Sequence, residues 1–185
     1  MAEPFRLRVL KALAETVKKV APTHVRGGDG LPFENDLTDY VDAAGVQRPR
    51  VFRGRDLFGP SDPLPLVSIL EHPRAAEQLM SSGANTTATG EWELLIQGFV
   101  EDDPEHPTDP AHVLAAEVIS VIAAERHNRY SLFGLGNREP CVTDIRIGAP
   151  VVRPADDTIS TTAFFALSVT PVSYTHLTLP TIYSV

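Results

Sequence analysis

Glu91-Trp92-Glu93-Leu94-Leu95-Ile96-Gln97-Gly98-Phe99-Val100-Glu101 is followed at once by Asp102-Asp103-Pro104-Glu105-His106-Pro107-Thr108-Asp109-Pro110, and then by the apolar run from Ala111 to about Arg126. In the first stretch Trp92, Leu94 and Ile96 alternate with Glu93 and Gln97, Phe99 takes the opposite face, and Val100 returns to the first. Successive strand side chains point to opposite faces of a sheet, so this period of two predicts a strand with one well-buried face. Asp109 is a good N-cap and Pro110 a good first helical residue, since the N–H that proline lacks would have no helical acceptor there. A helix is therefore expected from Pro110. It carries Val113, Leu114, Val118, Ile119, Val121 and Ile122 with few polar residues, so it is read as the central helix, packed across a broad apolar surface.

Upstream, Val9, Leu10, Leu13, Val17 and Val20 recur at helical spacing, predicting an amphipathic helix from Pro4 to Val20. Lys18 and Lys19 suit the negative end of its dipole, and Pro22 stops it. Arg26-Gly27-Gly28-Asp29-Gly30-Leu31-Pro32 reads as a loop. Gln47 to Gly54 and Leu64 to Glu71 read as strands, the second the better buried. Residues 74–90 are small and polar, and are expected to form a mobile excursion between two strands. Downstream of a Gly- and Asn-rich loop, Val142 to Val152 and Ser160 to Val169 read as two strands of a hairpin that closes the sheet. There is no internal repeat. These elements give an α/β (α+β) fold: one mixed, mostly antiparallel sheet, with the N-terminal amphipathic helix and the central helix on one face. One domain is expected over residues 1–171.

The composition narrows the function classes. The chain has 185 residues, 43% hydrophobic and 22% charged, as a folded globular domain has. No stretch approaches the roughly 20 apolar residues needed to span a bilayer, and Arg6, Arg8, Lys11 and Glu15 break any N-terminal signal pattern, so cytosolic production without a membrane anchor is expected. The formal net charge of −8 disfavours wrapping of nucleic acid. One cysteine, Cys141, excludes an internal disulfide and a multi-cysteine zinc site, and it reads as a structural thiol. Sixteen prolines, against a usual frequency of about 5%, imply many fixed loops.

Nucleophile elbows, phosphate-binding glycine loops and paired zinc histidines are absent from the sequence. Two charged groups stand out. Arg48, Arg50, Arg53 and Arg55 concentrate positive charge on a strand, where they suit either a solvated sheet edge or a subunit contact with phosphate or acidic loops. Asp102, Asp103, Glu105, His106, Asp109 and His112 hold the atoms for a metal or for acid–base work, although a solvated acidic loop is the far commoner origin of such a cluster. Trp92 opens an alternating strand and reads as core rather than as a ligand platform.

In order along the chain, the Arg6-Leu7-Arg8-Val9-Leu10-Lys11-Ala12-Leu13 start, Val51-Phe52-Arg53-Gly54-Arg55, Pro65-Leu66-Val67-Ser68-Ile69-Leu70-Glu71, Trp92-Glu93-Leu94-Leu95-Ile96-Gln97-Gly98 and the Asp102–Pro110 segment resemble the tail terminator proteins of long-tailed bacteriophages. The resemblance covers about residues 5–170. It implies a small α/β subunit that forms a homo-oligomer, a hexameric ring, at the head-proximal end of the tail. Such a ring caps the tail tube, stops its polymerisation and meets the head–tail connector, while genomic DNA only passes through. It implies a virion protein, assembled in the host cytoplasm, that is not an enzyme and needs no cofactor. Arg48, Arg50, Arg53 and Arg55 are then subunit-interface candidates opposite Asp102, Asp103 and Glu105 of a neighbour, because a heterologous ring needs two complementary patches per subunit. Gly27–Pro32 and 74–90 are candidates to order on contact with the tube or connector.

Val172-Ser173-Tyr174-Thr175-His176-Leu177-Thr178-Leu179-Pro180-Thr181 resembles the in-frame translation of a transposase adapter used in sequencing libraries, so residues 172–185 are read as a non-native tail, and 173–185 are expected to carry no function. Three alternatives stay open beside the terminator: another neck or head-closure ring, a metal-dependent hydrolase built on the Asp102–His112 loop, and a monomeric binding module with a preformed pocket.

Overall fold

The computed structural model describes residues 3–28, 30–59, 62–71, 87–126, 132–135, 141–155 and 162–176, with 87–91 and 173–176 described by backbone alone. Helix α1 spans Phe5–Val17. It ends three residues earlier than the apolar period suggests: Lys19 and Val20 already donate to Thr16 and Val17 in a tighter turn. Lys18 and Lys19 consequently sit past the helix and act as ties. Lys18 pairs with Glu15 and Asp39, and Lys19 reaches Glu125 at 2.6 Å.

A two-stranded ribbon follows, β1 (Tyr40–Val41) against β2 (Gln47–Arg48). The main sheet begins with β3 (Val51–Arg53), parallel to β4 (Leu66–Glu71). Next come β5 (Thr87–Glu91), β6 (Leu94–Val100), helix α2 (Asp109–Glu125), a 3-10 turn at Leu132–Gly134, β7 (Cys141–Ile147), β8 (Val151–Arg153) and β9 (Ala163–His176). The fold is thus α+β, with one mixed and mostly antiparallel sheet.

Strand β9 organises that sheet. Leu94 faces Val169 and Glu91 faces Val172, so β6 and β5 share one register along one edge of β9. Strands β7 and β8 line its other edge, with a bulge between Val142 and Asp144. The expected hairpin forms, with its first arm divided into β7 and β8, both antiparallel to β9; it does not close the sheet, because β9 is interior and pairs with β5 and β6 on its other edge. Its pairing continues through His176, across the Pro171 boundary drawn for the domain. Residues 87–90, expected in the excursion, form most of β5; 74–86 lie outside the described residues. The predicted Gly27–Pro32 stretch is a loop, Asp29 lying outside the described residues, and its base is closed by a bridge between Val25 and Pro32 that makes an arm of 24–33.

Cross-strand partners sort the sheet into two faces. Val51, Val67, Ile69, Leu94, Ile96, Val100, Phe165, Leu167 and Val169 join Val9, Leu13 and Val17 of α1 and Leu114, Val118 and Ile122 of α2 in one core. Both helices cover this face. Trp92 is buried there, edge-on to Phe5 at 6.4 Å, as a core residue. Gly98 sits under the Phe165 ring: a Cβ at that position would lie 2.1 Å from Phe165 Cε1. Helix α2 starts at Asp109 rather than Pro110, and Thr108 occupies the N-cap without a side-chain cap bond; Asp109 lies inside the first turn, where its charge still favours the helix dipole.

Candidate functional site

The arginine run does not form one charged patch. Arg48 pairs with Asp42 at 2.9 Å within the ribbon. Its pKa is raised, first by that hydrogen bond and then by the charge of Asp42. Arg50 donates to the Leu64 and Pro65 carbonyls at 2.9 and 3.1 Å and lies over the Tyr40 ring. Arg55 is stacked on both Phe52 and Phe58, 4.7 Å from each centroid, and pairs with Asp62 at 2.7 Å. Three of the four are thus engaged in holding loops to strands. Arg53 has no ion-pair partner among the described residues and lines an open groove.

The acidic loop is likewise occupied by its own backbone. Asp102 accepts a hydrogen bond from the Ala163 N–H, tying the end of β6 to the start of β9. Asp103 accepts from the N–H groups of Glu105 and His106 at 2.8 and 2.7 Å; these bonds, His106 first, hold its carboxyl below the usual aspartate value. Glu105 is exposed. A shallow cleft of about 420 Å³ does bring Asp103, His106 and Asp109 near Glu34 and Asn35. Among the described residues, however, no three His, Cys, Asp or Glu side chains converge as metal ligation requires. The arginines and the acidic loop do not meet within one chain. Arg53 faces Ile69 toward the Glu71 end of β4, whereas the acidic loop leaves β6 beside Phe99, at the Leu66 end.

What the fold does offer is surface. A groove of about 980 Å³ runs between α1 and the free edge of β3, with Leu7, Leu10, Ala14, Val51 and Ile69 as its apolar lining and Arg53 at the rim. The arm from His24 to Phe33 projects Val25 and Leu31, which are 64% and 53% exposed. On the sheet face away from the helices, Phe52, Phe58, Phe99 and Phe164 form a chain of ring contacts at 5.5, 5.3 and 5.9 Å. The segment carrying Arg55 and Phe58 straps one end of that face, and the Ser68 hydroxyl donates to the Arg55 carbonyl.

Glu117 escaped the sequence reading because it looks like one polar residue on an apolar helix. It is fully buried and accepts from Glu34 N–H at 2.6 Å, Asn35 N–H at 3.2 Å and Asn35 Nδ2 at 2.8 Å. A buried carboxylate needs such donors, and here they fasten the base of the arm to α2. Its one sequence signal is its place on the apolar stripe. Cys141 is half-buried at the start of β7. No helix among the described residues is long and apolar enough to cross a membrane. No protein-family model matches the chain, and no curated protein matches it significantly.

Proposed function

We propose that this chain is a structural subunit of virion assembly, a tail terminator of a long-tailed bacteriophage. Copies of it form a ring that caps the tail tube, stops its growth and joins the tail to the head connector. The observation that carries this reading is a pair of unlike apolar surfaces on one small subunit: a groove beside an open sheet edge, and a projecting arm with exposed Val25 and Leu31. A closed heterologous ring requires two different surfaces of this kind on every subunit. The motif order from Arg6 to Pro110 supports the same assignment. A hydrolase built on the acidic loop is less well supported, because Asp102 and Asp103 spend their carboxylates on backbone N–H groups.

The test is the mass of the full chain in solution by light scattering, over a range of protein and salt concentrations, with and without purified tail tubes. A ring that forms alone or only on the tube is expected. A chain that stays monomeric and ignores the tube overturns the proposal, and a ring that binds only the connector reassigns it to the neck.

A further inference from the structure

Among the described residues, strand β3 pairs along one edge only, with β4. The Val67 N–H donates to the Arg50 carbonyl at 2.8 Å and the Gly54 N–H to the Ile69 carbonyl at 2.9 Å. In a parallel pair, alternate residues face the neighbouring strand. Arg50, Phe52 and Gly54 therefore turn toward β4, while Val51 and Arg53 direct their N–H and C=O groups to the open edge. Helix α1 walls that edge with the flank of its apolar face: Leu7 is exposed, Leu10 is partly buried against the core, and Ala14 belongs to the core with Val9, Leu13 and Val17. A free edge beside an apolar groove is the arrangement that accepts an added strand: backbone bonds supply affinity, and alternate side chains fill the groove.

The same chain carries a segment with the matching features. In the arm, Arg26 N–H donates to the Leu31 carbonyl at 2.7 Å and Phe33 N–H to the His24 carbonyl at 3.2 Å. Val25 lies between these two bonds, so its own N–H and C=O point away from the ribbon, and its side chain is the more exposed of the arm's two large apolar groups. Glu117 fastens Glu34 and Asn35, next to the arm, to α2, and the Val25–Pro32 bridge fixes the backbone around Val25. Preorganisation lowers the entropic cost of docking.

We infer that the Val25 edge of the arm of one copy adds as a strand to β3 of the next copy, with Val25 entering the Leu7–Leu10–Ala14 groove. The occupant is thus a second copy of this chain. Arm and groove are different surfaces, so the contact is heterologous and propagates from subunit to subunit. This inference rests on the ring reading and names its subunit contact.

Both key positions are partly exposed, Leu7 at 38% and Val25 at 64%, so substitutions there leave the core intact. Full-length Leu7→Asp and Val25→Asp, checked for unchanged circular dichroism, are weighed by light scattering with and without tail tubes. Each is expected to need at least about tenfold more protein to assemble, as for a central contact. In a Cys141→Ser background, a Leu7→Cys chain mixed with a Val25→Cys chain is expected to give a disulfide-linked pair on mild oxidation, and neither chain alone is. Rings that assemble normally in both aspartate variants, or a Leu7→Cys chain that cross-links to itself, overturn this contact while leaving the ring reading standing. Absence of any ring, with or without tubes, overturns both.

Discussion

The two faces of the sheet are built on different principles, and adjacent residues of one strand show it. Phe165 points into the helix-covered face, is fully buried, and packs over Gly98 among side chains from both helices. Phe164, its neighbour, points the other way and stacks on Phe99 in a chain of rings that no helix among the described residues covers. The first face gains from burial of a large contiguous core; the second from a few directed contacts, aromatic and cationic, that a short strap holds down. Stability is expected to concentrate on the first face, while the second contributes shape at smaller cost.

The sharpest way to break that comparison is to truncate the two phenylalanines separately. Phe165→Ala empties a site with no solvent access and should cost about 3–5 kcal/mol, as large-to-small core changes do. Phe164→Ala should cost less, because Phe164, although buried between Phe99 and Arg153 of the flanking strands, lies outside the helix-covered core. Equal losses in denaturant unfolding would mean that the uncovered face is a second core. Glu117→Leu comes next. It leaves the N–H groups of Glu34 and Asn35 without their acceptor, at about 1–3 kcal/mol. Faster amide exchange at Glu34 and Asn35 should accompany the loss, since the carboxylate holds the arm's base to α2. Arg55→Ala removes two ring contacts and the Asp62 pair on the uncovered face, and about 1 kcal/mol is expected for a partly exposed group of this kind. Arg55→Lys should recover only part of it, because an ammonium cannot lie flat between Phe52 and Phe58.

The helix-covered face was the legible one. The alternation from Trp92 to Val100 and the stripes of Val9, Leu13 and Val17 reflect burial directly, because a period of 2 or 3.6 appears wherever one side of an element meets a core. Phe52 and Phe58, Phe99, and Phe164 come from three separate parts of the sequence and share no period, so their ring chain exists only once the strands are in register. The same holds for the candidate site. Four arginines within eight positions read as a concentration of positive charge, yet Arg48, Arg50 and Arg55 turn their guanidinium groups to three different local partners, and Arg53 alone keeps its place along the groove. Asp102 and Asp103 read as available carboxylates for a related reason: the backbone N–H groups that occupy them, from Ala163, Glu105 and His106, carry no sequence signature. The interior place of β9 was equally hidden, since a final strand can pair on one edge or on both with the same residue pattern.

The smallest expected effect sharpens the contrast at its solvent-exposed limit, the turn of the β1–β2 ribbon. Asp42 accepts from the Val46 and Ala44 N–H groups and from Arg48 Nε, each at 2.9 Å. These bonds, the Val46 one first and Arg48 next, hold its carboxyl below the ordinary value of 3.8. Between the folded and unfolded pKa values the native state therefore binds fewer protons, so the ribbon gains stability as pH rises. That gain is complete above the unfolded value and is lost as pH falls through the folded one. The Asp42 carboxyl carbon and the Ala44 and Val46 amide shifts should accordingly titrate together below 3.8, while α1 and α2 keep their signals. In Asp42→Asn the low-pH step at Ala44 and Val46 should vanish. A common midpoint at or above 3.8 would show that the turn is held by its glycine, Gly45 at φ +77°, and not by the carboxylate.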